Sequence, residues 1–261
     1  MRAELWHPGV PVATLLSWSK PKGRVMFQRR SPRDARSLVE EQIGRWKAQE
    51  KGGDRKPPRA LPLVTVSREF GSLGAAVGQL TARGLDFSFW DQELVHAIAE
   101  QTGAREALLM SLDENSRTRI EDFVAETLLG ASGTVAEYVR QVIRVVRSIE
   151  RHGGAVVIGR GAQFILGPGA ALRVRAVCPL EKRVADYAER EDLSREESER
   201  RVRQGERERQ AFYRRHYERE VADASHYDLV INTGSMSLEA CAETVIAAYR
   251  AKFGTPPDAR A

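Results

Sequence analysis

The sequence predicts an α/β fold, a parallel sheet with helices on both faces. Three observations predict it. Short apolar runs rich in β-branched residues, at Leu63–Val66, Ala155–Ile158, Leu172–Val177 and Tyr227–Asn232, read as buried strands. Helical patterns separate these runs, and strands that alternate with helices pair in parallel. Polar loops with glycines, Ser67–Gly74 and Gly159–Gly161, follow the first two runs. In parallel sheets of this kind ligands sit beyond the carboxyl ends of the strands. Those two loops and the residues after Val177 and Ile231 are therefore expected to converge on one crevice.

Taken in order, residues 1–60 read as a basic extension, with 14 Lys and Arg against 6 Asp and Glu, and the other 201 residues hold 27 against 30. The positive charge thus belongs to the extension, and a basic nucleic-acid-binding face on the folded domain is not expected. The apolar patch Val10–Trp18 has only Arg2 before it and a basic stretch after it, the reverse of a signal peptide. Met26 is a second possible start of translation. Residues 34–49 read as a helix on the spacing of Leu38, Val39, Ile43 and Trp46, and Lys51–Pro62 as a linker. The folded domain is expected over 61–253, with a flexible tail at 254–261. No apolar run approaches the roughly 18 residues that span a bilayer. Cys178 and Cys241 lie in apolar stretches with no ligand spacing around them, as reduced thiols of a cytoplasmic protein do.

Leu63–Val66 leads through Ser67-Arg68-Glu69-Phe70-Gly71-Ser72-Leu73-Gly74 into a helical pattern over Ala75–Arg83. Strand, glycine-containing loop and helix together direct backbone N–H groups and a helix N-terminus at a phosphate, although the GxxxxGK[ST] spelling is missing. Any α/β turn with glycine is the alternative. Leu85–Trp90 reads as extended, and Asp91-Gln92-Glu93 as the start of a helix reaching about Gln101. Helices are expected at Glu106–Leu112, Arg117–Leu129 and Thr134–Arg151, the last ended by Gly153-Gly154. After the third strand, helices are expected over Leu180–Glu189 and from Ser194, an N-cap with Glu197 three residues on, to about Tyr217. Leu238–Phe253 is the last helix.

Arg160 stands between two glycines past a buried strand, which suits bidentate binding of a phosphate; a surface arginine in a turn is the alternative. Residues 181–220 hold 12 Lys and Arg and 12 Asp and Glu, mostly a solvated hairpin laced with i,i+4 pairs. Within it Arg201, Arg203, Arg207, Arg209, Arg214 and Arg215 are interleaved with Phe212, Tyr213 and Tyr217, as in a mobile lid that brings cations to a phosphoryl group. Asp91 and Glu93 read equally as nucleoside ligands or as helix caps. The histidines form no spaced cluster for a metal or a nucleophilic triad.

Four segments, VTVSREFGSLG, FSFWDQELVHAIA, VVIGRGAQFIL and GERERQAFYRRHY with YDLVINTG, resemble the cytidylate kinase-like family, a nucleoside monophosphate kinase branch of the P-loop kinases. The resemblance spans about residues 62–252. It implies a CMP kinase-like reaction, MgATP with CMP or dCMP giving ADP with CDP or dCDP, with ATP and Mg2+ as cofactors and a small nucleotide as substrate; neither a nucleic acid on the folded domain nor a membrane is expected as partner, and the oligomeric state is left open. It implies that Ser67, Arg68, Gly71, Ser72, Leu73 and Gly74 face the ATP phosphates. Asp91 and Arg160 would face the monophosphate, and Arg203, Arg207 and Arg209 would act from the lid. Gly74 falls at the P-loop lysine position, Ala76 at the hydroxyl position, Leu73 where the branch has glycine, and Glu206 where it has a lid Asp. Arg68 then stands as a replacement cation, and Glu69 as a group reaching Mg2+ through water. Loss of the lysine leaves a nucleotide-binding protein without turnover as the alternative.

Overall fold

The computed structural model describes residues 37, 39–44, 60–100, 102–128 and 134–256. The patch at 10–18, most of the 51–62 linker, Leu38 and Trp46 of the expected first helix, and residues 257–261 lie outside them.

Five parallel strands form one sheet in the order β2-β3-β1-β4-β5. They are β1 (Leu63–Arg68), β2 (Ser88–Trp90), β3 (Ala155–Ile158), β4 (Ala171–Val177) and β5 (Leu229–Asn232). The central strand β1 pairs with β3 and β4, in registers that set Val66 beside Ile158 and Val174. Both faces of the sheet are covered, so its inner strands are apolar on both sides. Alternation along β3 shows this: Ala155 and Val157 enter one core cluster, while Val156 and Ile158 enter the other.

The first face packs against the helical turn α1 (39–44) and against α3 (Gln92–Glu100), α4 (Thr102–Met110), α5 (Glu114–Thr127), α6 (Thr134–His152) and α7 (Ala162–Ile165). Val39 of α1 is fully buried there, and Ile43 nearly so, so this turn of the basic extension docks on the domain. The second face carries α2 (Gly74–Leu85) and α10 (Leu238–Phe253), with Tyr249 and Val245 in the core. Between β4 and β5 the hairpin of α8 (Leu180–Glu191) and α9 (Arg195–Tyr217) rises over the carboxyl ends of the strands. Ser194 caps α9 by accepting from the Glu197 N–H, and Asp113 caps α5 by accepting from the Ser116 N–H. Cys178 and Cys241 are buried free thiols. Among the described residues no helix is long and apolar enough to cross a membrane.

Candidate active site

The loop after β1 is held from several sides. Ser67 is fully buried, and its Oγ accepts from Arg175 Nη1 at 3.3 Å. Ser72 Oγ donates to the Glu69 carbonyl, and the Ser72 carbonyl accepts from Thr233 Oγ1 at 2.7 Å. Gly71 takes a positive φ of 83°, and Leu73, just ahead of α2, takes 57°. For leucine that conformation costs about 1–2 kcal/mol, which glycine would not incur. Leu73 therefore keeps the shape of the loop at a cost in strain.

Gly74 explains the missing lysine sterically. A Cβ there would lie 2.7 Å from both Ala176 Cβ and Arg68 Cβ, closer than real side chains approach. No side chain fits at that position unless β1 and β4 move. The volume belongs to Arg68, whose chain runs from Gly74 across to Gly159, where a Cβ would overlap its Nη1. There Arg68 Nη2 donates to Gln92 Oε1 at 2.5 Å. Two glycines from separate loops thus make a channel for one arginine.

The turn after β3 delivers a second cation. Gly159, Arg160 and Gly161 all have positive φ, at 70°, 53° and 75°. Glycine takes this region freely, which accounts for the residues that flank Arg160. Arg160 Nε donates to the Gln92 carbonyl at 3.3 Å, and its carbonyl accepts from Tyr217 Oη at 2.5 Å. Its guanidinium lies 5.5 Å from the centre of the Phe212 ring.

A third cation comes from α9. Arg209 Nη1 donates to the Arg68 carbonyl at 3.2 Å, and its guanidinium stands 5.1 Å above the Phe70 ring. The helix can come this close because its neighbour is Gly205, where a Cβ would overlap that ring. Glu206 accepts from the Phe70 N–H at 2.8 Å, and buried Arg183 pairs with both Glu206 and Glu69.

Arg68, Arg160 and Arg209 line a cavity of about 280 Å³ with Phe70, Gln92 and Tyr213; Gly205, Glu208 and Phe212 complete it. Among the described residues none of the three arginines has a carboxylate within ion-pair distance. Burial, and then the nearby Arg209 and Arg160, lower the Arg68 pKa to about 9, and burial lowers that of Arg209. Cations desolvated together with no carboxylate in contact favour an anion that hydrogen-bonds to all of them.

Other expected residues stand elsewhere. Asp91 Oδ1 accepts from the Leu94 N–H at 2.7 Å and so caps α3, while the next residue, Gln92, lines the cavity. Arg203 is exposed and pairs with Glu199 on the surface of α9, and Arg207 is exposed as well. Glu69 Oε2 accepts from the Cys178 N–H at 2.9 Å. Sequence reasoning missed Gln92 and gave Tyr213 and Tyr217 no individual roles. The spacing Gly205, Arg209, Tyr213, Tyr217 at steps of four carried the signal, because a glycine inside a helix marks a close approach.

The described residues do not fit a resident Mg2+. No group of three His, Cys, Asp or Glu among them stands ready to hold a metal, Ala76 has no hydroxyl, and the Ser67 and Ser72 hydroxyls are engaged within the chain.

Comparison with known proteins identifies the architecture. A family model described as the cytidylate kinase-like family matches residues 63–235. A cytidylate kinase from Ignicoccus hospitalis is 30% identical over 105 residues, which cover 40% of this chain and 61% of that protein. A uronate isomerase from Corynebacterium glutamicum is 31% identical over 137 residues, 52% of this chain but only 26% of that protein. The chain thus spans about a quarter of one of these relatives and about three-fifths of the other. The crystal structure of an uncharacterized protein from Eubacterium ventriosum shares the fold, with a TM-score of 0.57 at 17% identity, covering 74% of this chain and 99% of that one.

Proposed function

Because the chain belongs to the cytidylate kinase-like family, we propose that it is a cytoplasmic phosphotransferase that converts MgATP and CMP or dCMP to ADP and CDP or dCDP. In that reaction an oxygen of the monophosphate attacks the γ-phosphorus of ATP, and the bond from that phosphorus to the bridging oxygen of ADP breaks. Charge spreads over the transferred group, and catalysis rests on positioning and on nearby cations. Arg68, Arg160 and Arg209 supply those cations. The backbone of residues 71–74 and the start of α2 face the donor phosphates, and α9 excludes water from above. The observation that carries this reading is the convergence of three guanidiniums without carboxylate partners on one cavity beyond the ends of β1 and β3. Mg2+ enters with the nucleotide, held by its phosphates.

A second reading, a nucleotide-binding protein without turnover, has its own support. Gly74 leaves no room for a lysine, and the Glu206 carboxylate already holds an N–H of the phosphate loop. Incubation with MgATP and a panel of nucleoside monophosphates separates the two. The first reading expects CDP or dCDP from the wild type and a loss of at least about 100-fold in Arg160→Ala. CMP binding without product supports the second. Neither binding nor product contradicts both.

A further inference from the structure

We propose that Tyr217 is a positioning residue that ties closure of α9 over the cavity to the presentation of Arg160. The inference rests on the reading of the cavity as a phosphoryl site, and it adds a residue that the arginine pattern does not reveal.

Three consecutive left-handed residues, Gly159 to Gly161, form a turn that its own sequence does not enforce, since Arg160 gains nothing from a φ of 53°. One bond ties the turn to the sheet, the Gly159 N–H donating to the Val66 carbonyl at 3.0 Å, and one closes it on itself, the Ala162 N–H donating to the Gly159 carbonyl at 3.1 Å. The Arg160 carbonyl is held from outside, by Tyr217 Oη at 2.5 Å. That hydroxyl reaches the carbonyl because residue 161 is glycine; a Cβ there would overlap the Tyr217 ring. The ring in turn packs at a tilt against Phe164 of α7, the helix that follows the turn, with ring centres 5.6 Å apart. Burial raises the Tyr217 pKa well above its ordinary value, so the hydroxyl stays a donor throughout the working pH range.

Tyr217 is the last residue of α9, the helix that also brings Arg209 to the Arg68 carbonyl and Glu206 to the Phe70 N–H. Eight residues of helix, about 12 Å, separate Arg209 from Tyr217. One rigid element therefore touches the loop after β1 at one point and the turn after β3 at another. When α9 is down, both arginine-bearing segments are held; when it lifts, the Arg160 carbonyl loses its outside donor and the turn can relax. A phosphoryl ligand bound by Arg160 would thus favour the closed position of α9, and closure would favour the ligand.

The test is a double-mutant cycle on the full chain, read by calorimetric titration with CMP and, as a probe without a base, inorganic phosphate. Tyr217→Phe keeps the ring and removes only the hydroxyl. It is expected to weaken binding about tenfold. Arg160→Ala is expected to weaken it about 100-fold, and the double variant to match Arg160→Ala within about twofold, because the hydroxyl acts only through Arg160. Amide exchange at Ala162 in the ligand-free protein should rise in Tyr217→Phe. Wild-type affinity and exchange in Tyr217→Phe would overturn the inference, as would losses that multiply in the double variant. Arg160→Ala binding both probes like the wild type, or a wild type that binds neither, would overturn the phosphoryl-site reading and this inference with it. Arg160→Ala costly with Tyr217→Phe neutral would overturn this inference alone.

Discussion

Helix α9 carries arginines on two faces and puts them to opposite use. On its outer face Arg200 and Arg201 pair with Glu197, and Arg203 pairs with Glu199, one helical turn apart and largely in solvent. Such pairs contribute little, typically under about 1 kcal/mol, because water already solvates both partners. On its inner face Arg209 stands beside Arg68, with Gly205 against Phe70 and Tyr217 on the Arg160 carbonyl. There burial has removed water, and among the described residues no carboxylate stands within ion-pair distance of Arg209. The difference teaches that charge count along a helix says nothing of function until its phase against the rest of the fold is known.

The comparison can be broken most sharply at Arg209. Arg209→Ala should weaken CMP or phosphate binding about 100-fold in a calorimetric titration, and binding within a few-fold of the wild type would make the inner face as idle as the outer. Gly205→Ala tests the close approach through its sign. In an ordinary exposed helix the change stabilises by about 1 kcal/mol. Here the added Cβ meets the Phe70 ring, and a net loss of about 1–2 kcal/mol is expected in denaturant unfolding.

A subtler effect concerns His216, also on α9. Burial first, then Arg215 and Arg160, hold its pKa below the ordinary 6.5. The folded state therefore takes up a proton less readily than the unfolded chain. Its contribution is complete above about pH 6.5 and is lost as the pH falls below that value. Thermal melts from pH 8 to 5 should fall more steeply for the wild type than for His216→Gln. The smallest effect is expected at Arg203→Ala, a change in stability of under about 0.5 kcal/mol by the same denaturant measurement. A larger loss would mean that the outer pairs matter more than their exposure suggests.

Much of the fold is legible in the sequence, because buried parallel strands announce themselves as β-branched runs and the connecting helices as apolar stripes. Leu238–Phe253 has the bounds expected of it, and Ser194 caps as its spacing with Glu197 indicates. The starts of α4 and α5 lie three or four residues earlier than the apolar pattern suggests. For α5 the cause is Asp113, a capping residue ahead of a polar first turn that periodicity does not register.

The site is legible only in part. Arg160 between two glycines points to a left-handed turn, and the turn is there. Arg203, Arg207 and Arg209 cannot be told apart by type; only the last shares a face with Gly205. Gln92 enters the cavity because β2 and β3 pair at the sheet edge, a tertiary fact with no local trace. Asp91, beside it, is engaged in capping α3. Loss of the loop lysine reads in the sequence as a missing function. The structure gives it a steric cause in Arg68 and Ala176.

The central claim is that Arg68, Arg160 and Arg209 together hold a phosphoryl group. A crystal structure of the protein with CMP tests it most directly. The account predicts phosphate oxygens within hydrogen-bond distance of all three guanidiniums, inside the cavity beneath α9. CMP bound with its phosphate away from those arginines would contradict it.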